Sequence, residues 1–154
     1  MKKVLIALDF DPTAQKVAEV GYSFAKSLGA EVILLHVTVD PLFYSSVESF
    51  PIIGYTGSLI TPLQLMDTKE TIKESGRFLD KIKHHLGDDT IQTLIQEGDF
   101  ADVILNASEE IKADMIVMGT HSKRWLEEII MGSVTESVLH QSTIPLFIIP
   151  THKF

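Results

Sequence analysis

The chain has 154 residues, 45% hydrophobic and 22% charged, an ordinary globular composition from which we expect a single domain over residues 1–154. The formal net charge is −8 and no basic stretch is longer than two residues, so nucleic acid is excluded as an expected partner because its backbone would be repelled over most of the surface. Cysteine is absent, which excludes disulfides, thiolate nucleophiles and Cys-ligated metal sites.

Five short apolar runs recur along the chain and predict the strands of a parallel sheet. Most are nearly continuous rather than alternating, which is typical of strands covered on both faces. They span residues 4–8, 32–37, 91–95, 115–118 and 146–149. The first run is too short for a signal-peptide core or a membrane span, so we expect a cytoplasmic protein with no membrane partner.

Apolar residues at helical spacing fill the first two intervals between these runs. The first helix is predicted over residues 12–28, with Pro12 in its first turn and Gly29 as its C-terminal cap. The second is predicted over residues 63–86, before Gly87. One face of this second helix is predicted to carry its apolar residues: Leu65, Ile72, Leu79 and Leu86.

Two further helices complete the alternation. One begins with Asp99 as its N-cap, and the last begins at Ser133 and carries Val134, Val138 and Leu139 on its apolar face. Strands alternating with helices predict an α/β fold, a Rossmann-like three-layer sandwich in which a five-stranded parallel sheet has helices on both faces. The final strand is expected at a sheet edge.

Residues 40–62 break this alternation. The segment is rich in proline and glycine and has little helical or strand period. Connections of this length are uncommon, and two interpretations remain open: an irregular surface loop with a few buried anchors, or a functional lid.

Polar residues and glycines fall at the predicted strand ends. Asp9 follows the first strand, His36 and Val37 close the second, and Gly119 closes the fourth. If the first and fourth strands are neighbours, these residues line one crevice with Ser133 beside it. Glycines let backbone N–H groups approach a ligand and a helix start offers unpaired donors, so this pattern predicts a phosphate cradle.

The segment around the fourth strand resembles the universal stress protein family. The family pattern is a glycine, two residues, a glycine, nine residues and then Gly-Ser or Gly-Thr; here Gly119, Ser122 and Gly132-Ser133 occupy these places. The flanking segments 4–9, 34–37, 114–119, 132–138 and 144–146 are similar too, and the resemblance covers essentially the whole chain.

The resemblance implies a fold of the adenine nucleotide alpha hydrolase-like kind and a role for each matching residue. Asp9 and the backbone of Val37 would contact adenine, Gly119 and its neighbours ribose, and the segment from Gly132 to Val134 the phosphates. The predicted nucleotide-binding residues are Ala7, Asp9, Val37, Met118, Gly119, His121, Ser122, Gly132, Ser133 and Val134.

The resemblance also implies a stress-response protein that binds ATP, or ADP or AMP, with Mg²⁺ held through the phosphates. It implies a homodimer formed through the C-terminal strand, which an edge strand's unpaired backbone groups would favour. We expect binding with at most slow hydrolysis, because no side chain is evidently poised to align an attacking water.

The sequence departs from the family pattern at one position. Ser122 stands where the second glycine would be. If this position needs a positive φ, serine is strained by about 1 kcal/mol or more. If it needs only an N–H donor, serine supplies that and a hydroxyl.

Purely structural roles remain open for several of these residues. Asp9 is equally an N-cap for the first helix, and Ser133 an N-cap for the last. Gly119 and Gly132 are also compatible with turn and cap positions. His36, inside an apolar run, is expected to be a hydrogen-bonded core histidine.

Two alternatives come from other functional classes. Asp9 and Asp11, two residues apart after a strand, also fit the opening motif of haloacid dehalogenase-like phosphatases, in which the first Asp attacks phosphorus. Thr38, Asp99 and Asp102 resemble further motifs of those enzymes. The other alternative is a fold kept as a dimeric interaction module that binds no nucleotide.

Overall fold

The computed structural model describes residues 2–38, 62–120 and 132–151. In chain order its elements are β1 (Lys3–Leu8), α1 (Ala14–Ser27), β2 (Glu31–Thr38), α2 (Pro62–Leu86), β3 (Gln92–Glu97), α3 (Phe100–Glu110), β4 (Met115–Gly119), α4 (Ser133–Gln141) and β5 (Leu146–Ile149). All but the last residue of the segment 40–62, predicted to be a surface loop or a lid, lie outside the described residues. Within the described ranges, no helix is long and apolar enough to cross a membrane.

The five strands form one parallel sheet in the order β3-β2-β1-β4-β5. Leu5 of the central strand β1 pairs with Ile33 of β2 on one side and with Ile116 of β4 on the other. The parallel α/β fold predicted from the apolar runs is confirmed. β1 and β4 are neighbours, as the predicted crevice requires.

Helices cover both faces of this sheet, because alternate strand residues point in opposite directions. Ile6 of β1 belongs to a core that contains Val17 and other residues of α1 and α2. The adjacent Leu5 belongs to a second core, which contains Ile104 of α3 and Val138 of α4. The predicted three-layer arrangement is therefore present.

The two outer strands differ in how well the sequence predicted them. β5 lies at an edge, as expected. β3 forms the other edge, and its first residues Gln92 and Thr93 are exposed, so the prediction of a strand covered on both faces is wrong here. The buried Ile91 that began the apolar run precedes the strand instead of belonging to it.

Helix ends follow local chemistry with one correction. Gly29 and Gly87 follow α1 and α2 with φ angles of +63° and +67°, the left-handed conformation that favours glycine. Asp99 caps α3, as predicted, by accepting a hydrogen bond from the Asp102 N–H at 3.1 Å. Pro12 lies before α1 rather than in its first turn, because Thr13 is the N-cap.

Two apolar residues predicted to be buried are exposed. Ile72 was assigned to the buried face of α2 by a sevenfold spacing, and it is 44% exposed. Ile72 lies only about 20° from Leu79 around the helix, so the helical spacing does not account for its exposure. Ser75 and Leu79, one turn apart, are buried, and the buried face of α2 ends before Ile72. Leu139 of α4 is also 44% exposed, because its neighbour Val138 occupies the buried position about 100° away.

Candidate functional site

A cavity of about 410 Å³ lies at the carboxyl ends of the central strands. Its volume is in the range of small-molecule and cofactor pockets. The described residues that line it are Ala7, Leu8, Asp9, Phe10, Asp11, Thr13, Ala14, Val17, His36, Val37, Phe100, Ile104, Met118, Gly119, Gly132, Ser133, Val134, Thr135 and Thr151.

The topology explains why the cavity lies there. β1 leads into α1 on one face of the sheet, whereas its neighbour β4 is followed by α4 on the other. Neighbouring connections that diverge leave a crevice beyond the strand ends, the usual ligand position in open parallel sheets.

The structure brings together most of the residues that the sequence assigned to the nucleotide. Eight of the ten line this one cavity: Ala7, Asp9, Val37, Met118, Gly119, Gly132, Ser133 and Val134. The other two, His121 and Ser122, lie outside the described residues. Residues more than 100 positions apart in the chain therefore line the same cavity.

The amino-terminal tip of α4 lines the cavity. Gly132 is its N-cap and Ser133 its first helical residue, so the helix begins at Ser133 as predicted, and the alternative of Ser133 as the N-cap is wrong by one position. The Gly132 N–H donates to the Thr120 carbonyl at 3.0 Å. Gly132 has no side chain to cap the helix, and within the described ranges the first-turn N–H groups of Ser133 and Val134 meet no hydrogen-bond acceptor, so they stand as donors at the positive end of the helix dipole.

Gly119 is needed for packing. A Cβ atom there would lie 2.8 Å from Cγ2 of Thr151 and 2.9 Å from Cγ2 of Val17. Its φ is not in the left-handed region, and neither is that of Gly132 at −58°. Both glycines therefore serve close approach and capping rather than an unusual backbone conformation.

Threonines tie the chain segments around Gly119 together. The Thr135 hydroxyl donates to the Gly119 carbonyl at 3.1 Å. Thr120 donates its N–H to the Ile149 carbonyl at 3.0 Å, and its hydroxyl accepts from the Thr151 N–H at 3.1 Å. These bonds hold the ends of β4 and β5 and the start of α4 in one arrangement.

The β1–α1 turn places Asp9 on the cavity wall. Thr13 is the N-cap of α1, so the alternative that Asp9 caps this helix is wrong. Asp11 stabilises the start of α1 instead. Its carboxylate accepts hydrogen bonds from the Thr13 N–H at 2.8 Å and from the Thr13 hydroxyl at 2.6 Å. Asp9 is exposed where it borders the cavity.

His36 is the buried, hydrogen-bonded histidine that the sequence predicted. It is 4% exposed, and Nδ1 lies 2.8 Å from the Leu8 carbonyl. A carbonyl only accepts, so Nδ1 carries the proton and donates this bond. The ring also packs edge-on against Phe10 and Phe78, with centroids 4.5 and 5.6 Å away.

The charges around the cavity are few. Among the described residues that line it, Asp9 and Asp11 are the ones with a formal charge, and both are acidic. An anionic group at the α4 tip would therefore be held by backbone N–H donors and helix polarity within this part of the structure.

The cavity lining also includes residues that the sequence did not assign to the site, and three of them bear on its chemistry or its packing: Phe10, Thr135 and Thr151. Phe10 directly follows Asp9, and that adjacency was the available signal. Thr135 and Thr151 have roles set by long-range hydrogen bonds, which leave no periodic trace in the sequence.

The phosphatase alternative finds little support in the geometry. Asp11, the second aspartate of the phosphatase motif, accepts a hydrogen bond from the Thr13 N–H, and Asp99 caps α3. Among residues 2–38, 62–120 and 132–151, no group of three or more His, Asp or Glu side chains is placed to hold a metal ion.

Comparisons with known proteins agree with one another. The model of the universal stress protein family matches residues 1–150. Universal stress protein MJ0577 of Methanocaldococcus jannaschii is 29% identical, covering 96% of this chain and 94% of its own. Universal stress protein YxiE of Bacillus subtilis is 28% identical, covering 96% of this chain and 97% of its own.

Solved structures show the same architecture. The structure of MJ0577 superposes with a TM-score of 0.74 and 29% identity, covering 99% of this chain and 98% of that one. A universal stress protein in complex with cAMP superposes with a TM-score of 0.64 and covers 98% of each chain. Its identity is 16%, so it supports the fold alone.

Proposed function

The chain belongs to the universal stress protein family, and from this premise we propose that its cavity binds an adenine nucleotide: ATP, or its relatives ADP and AMP. The corresponding role is a stress-response protein of the cytoplasm that signals or protects through nucleotide occupancy. Binding, rather than turnover, is the proposed activity.

The observation that carries this proposal is the shared cavity of Asp9 and the α4 tip. A nucleotide has a flat base at one end and an anionic tail at the other. The cavity has apolar walls, including Val37, Met118 and Ile104, and ends at the first-turn N–H groups of α4. The first part suits a base and the second a phosphate.

We assign the residues along that axis. The Asp9 carboxylate and the Val37 backbone are proposed for adenine, Ala7, Met118 and Gly119 for the sugar region, and Ser133 and Val134 for the phosphates. Gly132 contributes as an N-cap without a side chain to cover the next N–H groups, while its own N–H is bonded to the Thr120 carbonyl. Mg²⁺ would accompany ATP through the phosphate oxygens.

Assignments for two residues outside the described ranges remain sequence-based. His121 and Ser122 are proposed beside the phosphates because they fall between Gly119 and Gly132 in the motif. Replacing Ser122 by glycine restores the family pattern, and we expect it to strengthen ATP binding if the backbone there requires a positive φ.

Calorimetric titration of nucleotide-stripped protein with ATP, ADP, AMP and cyclic AMP tests the proposal. We expect saturable binding of at least one of them. Ser133→Glu places a carboxylate at the first position of α4, where it favours the helix dipole but repels phosphate, so binding should weaken by about tenfold or more.

The matched control is Gln141→Glu, which makes the same charge change at the other end of the same helix. The two sites are the first and last of the nine residues of α4, about 12 Å apart along the helix axis and beyond the screening length at physiological salt. The control should bind as the wild type does. Absence of binding by all four nucleotides, or a Ser133→Glu protein that binds normally, would contradict the proposal.

We also propose a homodimer formed through β5. Among the strands that the structure describes, this one pairs with β4 alone, and its residues Leu146 to Ile148 are half-buried. An edge of unpaired backbone groups with apolar side chains suits pairing with a second copy of the chain.

A further inference from the structure

Thr135 occupies an unusual position in the first turn of α4. Its side chain is buried, with the residue 2% exposed, and it lines the cavity. Its hydroxyl donates to the carbonyl of Gly119, sixteen residues earlier, at 3.1 Å. A threonine this early in a helix commonly bonds within its own turn, whereas this one reaches across to the end of β4.

A second bond joins the same two elements. The Gly132 N–H donates to the Thr120 carbonyl at 3.0 Å. The two donors, Gly132 and Thr135, flank Ser133 and Val134 in the chain, and the two acceptors, Gly119 and Thr120, are consecutive. The α4 tip is thus bonded to the end of β4 on both sides of Ser133 and Val134, which line the cavity.

This arrangement bears on anion binding because a backbone N–H cannot reorient independently of its helix. Donors bind a phosphate well only when their positions are fixed before the ligand arrives. Along the described walls of the cavity the charged side chains are acidic, so the alignment of these N–H groups matters more here than in a site with a flexible lysine.

We infer that Thr135 is a positioning residue of the nucleotide site, fixing the Ser133 and Val134 N–H groups for the phosphate by holding the α4 tip to the Gly119 carbonyl. The inference rests on the proposed nucleotide binding and adds the residue that aligns its phosphate end. Thr135 acts through its hydroxyl on the backbone and is assigned no contact with the ligand.

Three variants test it. Thr135→Val removes the hydroxyl and keeps the branched shape, Thr135→Ser keeps the hydroxyl, and Thr93→Val makes the first change on the exposed edge strand β3 as the matched control. Each is titrated with adenosine, AMP and ATP, and its melting temperature is measured.

Thr135→Val should bind AMP and ATP about tenfold more weakly while binding adenosine within about twofold of the wild type. Thr135→Ser should recover most of the loss, and Thr93→Val should behave as the wild type. Unchanged AMP and ATP affinities in Thr135→Val would overturn the inference. An equal loss for adenosine would also overturn it, since the residue would then support the cavity as a whole.

A ligand-free measurement separates this inference from the proposed function. Amide hydrogen exchange at Gly132 should be faster in Thr135→Val than in the wild type and normal in Thr135→Ser, because the Gly132 bond to Thr120 depends on the same docking. If the wild type binds no nucleotide, the proposed function fails by itself. Unaltered exchange at Gly132 would show that Thr135 does not hold the tip.

Discussion

Gly119 is the residue at which packing and the proposed site meet. It ends β4, its carbonyl accepts from Thr135, and the space where a side chain would project is filled by Thr151 and Val17. Any side chain here would push apart the end of β5, helix α1 and the strand itself. The glycine of the motif is therefore explained by close packing beside the cavity.

Gly119→Ala should destabilise the fold by about 1–3 kcal/mol, because the new methyl group would overpack against two γ-methyl groups and the backbone behind them. Denaturant unfolding measures this. Gly76→Ala is the control, since a Cβ there would meet only Ile95 Cδ1 at 3.9 Å, an ordinary contact within α2. That variant should be neutral or more stable, by up to about 1 kcal/mol. A Gly119→Ala protein as stable as the wild type would contradict the packing account.

Residue identities at the site were more predictable than residue roles. Gly132 and Ser133 were found from their spacing, and the helix begins at Ser133 as predicted, but the N-cap role falls to Gly132 rather than to Ser133. The Thr135 bond to Gly119 spans sixteen residues and the Thr120 hydroxyl pairs with that of Thr151 across thirty-one. Bonds of this kind depend on the tertiary arrangement and have no local sequence signal.

The α2–β3 turn is joined to α1 at a single carboxylate. Asp88 Oδ2 lies 2.6 Å from Lys26 Nζ and accepts from the Tyr22 hydroxyl at 2.8 Å, while Oδ1 accepts from the Thr90 N–H at 2.9 Å. These partners, Lys26 foremost, hold the pKa of Asp88 well below its usual range. Two elements far apart in sequence are thereby joined at the end of the sheet opposite the cavity.

The Asp88 network predicts a pH-dependent stability. A depressed folded-state pKa means that the stabilisation is complete above the unfolded pKa, about 3.9, and is lost as pH falls through the folded value. Asp88→Asn should therefore unfold at lower urea concentration than the wild type at pH 7, and the difference should shrink between about pH 4 and pH 2.

Urea unfolding midpoints at pH 7, 5, 3 and 2 measure that difference. Asp89→Asn makes the same charge change at the exposed neighbouring residue and should show a small difference at every pH. A gap between Asp88→Asn and the wild type that is as large at pH 2 as at pH 7 would show that the carboxylate charge is not responsible.

Strands and helices were largely predictable because each has a local cause. Continuous apolar runs reported the strands that lie between two helical layers, and Gly29 and Gly87 marked helix ends through their conformational freedom. The wrong predictions of burial have physical causes too. Burial at the edge strand β3 and at Ile72 depends on which neighbours the element has in space, which periodicity alone does not contain.

The order of the strands in the sheet determines where a ligand can bind. β1 and β4 are adjacent and the helices that follow them lie on opposite faces, which leaves a crevice beyond the ends of these two strands. The described motif residues Gly119, Gly132 and Ser133 line that crevice. From the sequence, the adjacency of β1 and β4 was a condition for the crevice and was not itself predicted. The family resemblance supplied the proposed ligand, because apolar lining residues beside the start of a helix do not by themselves identify a nucleotide.

The proposed dimer through the edge strand β5 can be tested in solution. Light scattering at micromolar concentration should give twice the chain mass, and Ile148→Lys, a charge on the β5 edge, should shift it toward monomer. Thr93→Lys places the same charge on the opposite edge strand β3 and should remain dimeric. A monomeric wild type would contradict pairing through β5.

The most direct test of the nucleotide site is an amide chemical-shift map of the isotope-labelled protein titrated with ATP. The account predicts that, among the described residues, the largest changes fall on the amides of Ser133 and Val134, with further changes at Asp9 and Val37. Saturable changes elsewhere, with Ser133 and Val134 unmoved, would contradict it, because the nucleotide would then bind without the α4 tip.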